Sequence, residues 1–190
     1  GSIDVINNFP YQDIRDYYAK WYRPDLQGIV IVGDINVDEI EAKLKKVFAD
    51  VKAPVNPAER IYYPVADNQE PLIYIGTDKE VKNPSVNIFF KQDATPDSLK
   101  NTIAYYATSY MVSMAMNMLN NRLNELRQTA NPPFTSAGAE YGEYFLAKTK
   151  EAFSISASSK IDGIDLATKT ILEEAERARR FGFTPTEYDR

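Results

Sequence analysis

At 190 residues, 44% of them apolar and 26% charged, the chain is long enough for one full domain or two small ones, with the makeup of a soluble globular protein. A net charge of −5 and a pI near 4.9 leave no basic groove for phosphates, so no nucleic-acid partner is expected and the 13 tyrosines read as packing and surface residues. With neither histidine nor cysteine, the chain has no Ser-His-Asp triad, Cys-His pair, thiolate site or His-x-x-Glu-His zinc motif, and no catalytic residue is assigned.

In chain order, Gly1-Ser2-Ile3-Asp4 carries neither a start methionine nor a signal peptide and reads as a cloning scar or an internal cut. Ile14, Tyr17, Tyr18 and Trp21 recur at three- and four-residue spacing, which predicts a helix over Tyr11–Tyr22. Pro24 stops it. The run Gly28-Ile29-Val30-Ile31-Val32-Gly33, β-branched and bounded by glycines, predicts a strand buried on both faces. Asn36, with Glu39 three residues on, has the pattern of a capping box. It opens a helix over Val37–Val51 that buries Ile40, Leu44, Val47 and Phe48. Residues 1–52 thus form a helix-strand-helix unit, expected to close a preceding domain. Four prolines, at 54, 57, 64 and 71, make 53–71 a linker, with at most an edge strand around Ile61–Val65.

Residues 72–190 begin a second α+β domain. Leu72–Gly76 and Ser85–Lys91 read as strands, the latter with Val86, Ile88 and Phe90 on one face. A helical tract runs from Thr95-Pro96-Asp97 to about Gln128, long enough that a break is expected near Ser109–Ser113. Its four methionines, at 111, 114, 116 and 118, read as flexible core filling. Asn131-Pro132-Pro133 ends the tract, and Phe134–Tyr141 and Ala152–Ser158 read as an antiparallel pair. A last long helix spans Ile164–Phe181, with Leu166, Ile171, Leu172 and Ala175 inward and Arg177, Arg179 and Arg180 complementing its C-terminal dipole. Thr184-Pro185-Thr186-Glu187 then announces another helix just before the chain stops, which suggests a second cut. The fold class expected is α+β, with mostly antiparallel sheets flanked by helices. No apolar run approaches the roughly 20 residues that span a bilayer, and a cysteine-free chain suits cytoplasm and periplasm alike.

Three phrases in this order resemble the pitrilysin/insulinase family of zinc metallopeptidases. They are Tyr17-Tyr18-Ala19-Lys20-Trp21-Tyr22-Arg23-Pro24-Asp25 running into Gly28–Ile35, then Asn121-Arg122-Leu123-Asn124-Glu125-Leu126-Arg127, then Phe181-Gly182-Phe183-Thr184-x-x-Glu187. The resemblance implies that the zinc site, its inverted His-x-x-Glu-His motif and a further glutamate ligand all lie before the first phrase. Zinc is therefore implied for the parent protein, bound by residues outside this chain, with no cofactor held by the chain itself. The implied function is a non-catalytic segment of an endopeptidase that closes over peptides or unfolded polypeptides, lining the chamber and touching substrate. Its implied partners are the peptide substrate and the zinc-bearing domain of the same chain or of a partner subunit.

In the family's metal-free half, an arginine at a helix end and a tyrosine seven residues later help hold the substrate backbone. Arg127 matches the arginine, but Phe134 stands at the tyrosine position and cannot donate a hydrogen bond. Tyr141 and Tyr144 are the candidate stand-ins. For Arg127 the bland alternative is satisfaction of helix-end carbonyls. Two further readings stay open: a segment of an inactive, metal-free relative serving as partner or scaffold, and an unrelated α+β binding module. A strand at Ile29–Val32 without its neighbours seeks partners. The opening unit is therefore expected to pack against residues 72–181 or to associate with another copy of the chain.

Overall fold

The structure, a computed structural model, describes residues 2–189. Gly1, read above as part of a scar or cut, lies outside them. The chain divides into two compact units, 1–61 and 62–190.

In the first unit three α-helices follow one another, α1 (Ile3–Asn8), α2 (Tyr11–Trp21) and α3 (Val37–Val47). The α2 span matches the three-and-four spacing of its aromatic residues. Asn36 is the N-cap of α3, its side-chain oxygen accepting from the amides of Asp38 and Glu39 at 3.1 and 3.3 Å, which is the Asn36 half of the expected capping box. The helix ends at Val47 rather than Val51, and Val47 and Phe48 are exposed where burial was expected. Arg23, buried beside Trp21, is the pin of this unit. Its guanidinium donates to the Ala58 carbonyl at 2.6 Å and pairs with Asp25 at 3.1 Å.

The strand expected at Gly28–Gly33 does not form. The run is without regular structure, and Val30 and Val32 are 86% and 90% exposed. A strand exists only where another backbone completes its hydrogen bonds, and no other strand is present among the described residues of this unit. The same correction applies to Ile61–Val65 and to Leu72–Gly76, whose apolar side chains stand in the open.

The second unit is a two-layer α+β body. Its sheet holds β1 (Ser85–Asp93), β2 (Ser136–Glu143) and β3 (Lys150–Ser158) in the order β1-β3-β2, all antiparallel. Period-two alternation sends Ile88, Ile155 and Ala139, which share one register line, to the helix side. There they meet Leu119 and Leu123 of α5 (Ile103–Arg127) and Ala167 and Ile171 of α6 (Ile164–Phe181) in a single core. The short α4 (Asp97–Lys100) precedes α5. The break expected near Ser109–Ser113 lies instead at Asn101–Thr102, where Thr102 turns extended and its hydroxyl caps the amide of Tyr105 at 3.2 Å. From there α5 runs 25 residues without interruption. Among its methionines Met116 packs on the core, whereas Met111 is exposed.

The α6 span is as expected, but Leu166 and Leu172 face outward. The inward stripe is Ala167, Ile171, Ala175 and Ala178, mostly small residues that let the helix lie close on the sheet. The outer edge of β2 is closed by a side chain: the Asn120 amide donates to the Ala139 carbonyl and accepts from its N–H, both at 2.8 Å. This imitates one rung of a sheet and blocks that edge against further pairing.

Candidate functional site

The last two turns of α5 carry two arginines in opposite situations. Arg122 points inward and is 7% exposed. Its Nε donates to Glu187 Oε1 at 2.7 Å and its Nη2 to the Gly182 carbonyl at 3.4 Å, while Nη1 lies 3.6 Å from Glu174. The ring of Phe183 sits 5.0 Å from the guanidinium carbon. The chain reaches this corner because Gly182, at φ +69°, ends α6 in a left-handed conformation that only glycine adopts without strain.

Glu187 then does two things at once. It completes a capping box with Thr184 at the start of α7 (Pro185–Tyr188), and it accepts from Arg122. The guanidinium, then the Thr184 amide, hold its carboxyl down at about 2, against an ordinary value of 4.5. A lowered carboxyl stabilises the fold fully above its unfolded value and loses that contribution as pH falls toward the folded one. Denaturant midpoints for the chain and for Glu187→Gln are therefore expected to differ at pH 6 and to converge as pH falls from about 4.5 to about 2. A gap that stays constant through that window would show that the ion pair does not stabilise the fold.

Arg127, five residues on and facing away from that corner, is exposed, and its Nη2 donates to Asn124 Oδ1 at 2.8 Å within its own helix. Phe134 is 2% exposed and belongs to the core, against Leu119, Leu123 and Ile155. Tyr141 is half-buried at the far end of β2. Its hydroxyl donates to Glu151 Oε2 at 2.8 Å and accepts from Gln92 Nε2. Burial first, and the bond to Glu151 second, push that hydroxyl up to about 12, so it stays protonated and committed to Glu151. Tyr144, one residue past the strand, stacks edge-on to Phe89 and Phe145 under Lys91.

The four candidates are not gathered. β2 starts at Ser136, just past the end of α5, and at about 3.3 Å per residue Tyr141 lies roughly 16 Å and Tyr144 roughly 26 Å further along the chain.

No three histidine, cysteine, aspartate or glutamate residues come together to hold a metal among the described residues. Two carboxylates do converge elsewhere, Asp67 and Asp93, on the buried Lys150 at 2.6 and 2.7 Å. One ammonium already occupies both. Zinc does not fit this donor set. The sequence phrases contain Arg122 and Glu187 but gave no sign that they meet, being 65 positions apart. Lys150, Asp67 and Asp93 are isolated charges in the sequence, in strands or a loop, with no pattern that joins them.

A three-stranded antiparallel sheet with helices packed on one face defines an α+β domain. The model of the Peptidase M16 inactive domain matches residues 8–190, and the chain belongs to that family, the pitrilysin/insulinase peptidases. It is 27% identical over 130 residues to the probable zinc protease PqqL of Haemophilus influenzae, covering 66% of this chain and 13% of that one. The crystal structure of the periplasmic protease PqqL from Escherichia coli superposes over the whole chain with a TM-score of 0.70 at 19% identity, covering 20% of that protein. A structure of the ferredoxin protease FusC with Arabidopsis ferredoxin gives 0.65 at 20% identity, again over the whole chain and 20% of that protein. The chain thus spans a fifth or less of these relatives. No helix among the described residues is long and apolar enough to cross a membrane.

Proposed function

We propose that this chain is the non-catalytic segment of a zinc metallopeptidase acting on peptides or unfolded polypeptides, supplying chamber wall and one substrate contact through Arg127. Residues 1–52 close the preceding zinc-bearing domain, 53–71 link, and 72–190 begin the metal-free domain. The observation that carries the substrate contact is the exposed guanidinium of Arg127 at the end of a helix anchored through its other face. The likeness to a protease bound to ferredoxin supports a polypeptide substrate, and the likeness to a periplasmic protease supports the periplasm.

Phe134 favours the second reading, a metal-free relative that serves an active partner. The position where the family has a tyrosine is filled by a core side chain without a hydroxyl, and Tyr141 and Tyr144 stand far along the strand. Arg127 is thus left to hold substrate alone.

Zinc analysis and peptide kinetics on the longer protein that carries the upstream domain separate the two. One zinc per chain is expected, and Arg127→Ala is expected to lower kcat/KM roughly tenfold, the loss of one charged hydrogen bond. A parent without zinc, or an Arg127→Ala enzyme as active as the original, defeats the proposal.

A further inference from the structure

We propose that Arg122 is a positioning residue: by tying α5 to the corner between α6 and α7 it fixes the helix end on which Arg127 stands. This rests on the reading of Arg127 as a substrate contact. The two arginines are five residues apart, about 7.5 Å along the axis and 140° around it, so one can be locked inward while the other faces out.

The lock has the features of a built joint. Arg122 is 93% covered, given its 7% exposure, and reaches three separate parts of the chain: Glu174 inside α6, the Gly182 carbonyl at its end and Glu187 in α7. Glu174 is held in turn by Arg177 at 3.0 Å, and Phe183 covers the guanidinium. Two of the three contacts are hydrogen bonds, to Glu187 and Gly182, and Glu174 adds its charge from 3.6 Å. A planar guanidinium presents its donors in a fixed fork, whereas the donors of an ammonium rotate. The apolar contacts of Leu119, Leu123 and Leu126 fix the distance of α5 from the sheet. Such contacts are non-directional and tolerate small rotations, whereas hydrogen bonds to the guanidinium fix the rotation of the last two turns. That rotation decides where the Arg127 guanidinium points. A contact of this kind loses most of its value when displaced by about 1 Å.

The test uses the zinc-bearing parent enzyme and a peptide substrate, with Arg122→Met and Glu187→Gln made singly and in an Arg127→Ala background. Glutamine at 187 keeps the capping box of α7 and removes the charge that holds Arg122, so this variant is expected to fold even where Arg122→Met does not. Each single variant is expected to raise KM roughly tenfold with kcat little changed, as for loss of uniform substrate binding. In the Arg127→Ala background neither is expected to raise KM further. Arg122→Lys, which keeps the charge without the fork, is expected to restore less than half of the lost affinity. Unchanged KM in Glu187→Gln overturns the proposal, as does a rise of equal size with and without Arg127, which is the mark of a general structural defect. Failure of the underlying reading looks different: Arg127→Ala alone then leaves KM as it was.

Discussion

Phe134→Ala is expected to destabilise the second unit by about 4 kcal/mol, among the largest effects available in the chain. Phe134 is 2% exposed and belongs to one core cluster with Leu119, Leu123 and Ile155, so truncation removes a whole ring from that core. Neighbours on two helices and a sheet are in no position to collapse onto the void. Urea denaturation of the chain, followed by a probe of the second unit, gives the number. The companion variant Phe134→Tyr carries the functional point. It restores the residue type that the family resemblance leads one to look for, but it places a hydroxyl among apolar side chains. Where that hydroxyl finds no partner the fold is expected to lose about 1–3 kcal/mol, and activity in the parent is not expected to rise. If Phe134→Ala changes stability by less than about 1 kcal/mol, the ring is not in the core and position 134 returns as a candidate substrate contact.

How much of this was legible from residues alone differs by element. The span of α6 and half of its inward face, Ile171 and Ala175, followed from its periodic pattern, but Ala167 and Ala178 did not. Leucines at 166 and 172 outrank alanines on any hydrophobicity scale, yet the face chosen is Ala167, Ile171, Ala175 and Ala178 because small residues allow close approach to the sheet. Thr102 immediately before an apolar stretch was an available N-cap signal for the start of α5, and the serines at 109 and 113 drew the break away from it. Serine mid-helix lowers propensity by a few tenths of a kcal/mol, about what tertiary packing overrides without effort. The sheet hairpin of β2 and β3 was readable because both partners lie close in sequence. The run at 28–33 has the same local signal and no partner among the described residues of its unit.

The candidate site divides along the same line. Arg127 was legible as a position in a phrase, and so was the missing hydroxyl at 134. The Arg122–Glu187 joint was not, because nothing in either residue's neighbourhood encodes a contact across 65 positions. It also changes how the phrases themselves are understood. Arg23 in the first phrase, Arg122 in the second and Glu187 in the third are each tied into a fixed joint. One residue of each phrase thus holds a corner of this chain.

The first unit leads to the second large effect. Ile29, Val30, Ile31 and Val32 are 45–90% exposed in this chain, although their composition suits a strand covered on both faces. If residues 1–52 close a domain whose other strands precede them, the missing neighbours supply what the run lacks. Its amides are then expected to exchange with solvent at nearly unprotected rates in the 190-residue chain. In the longer protein they are expected to be protected by roughly a thousandfold or more, the range between an open segment and a central strand. Hydrogen exchange read by mass spectrometry on peptides covering 28–33 measures both states under one set of conditions. Protection in the short chain that grows with concentration would mean that two copies pair through this run, which light scattering would register as a dimer. Equal and rapid exchange in short and long proteins would remove the ground for assigning residues 1–52 to the preceding domain. The exposed apolar run would then mark a contact with a separate subunit, the arrangement expected of a metal-free relative that works beside an active partner.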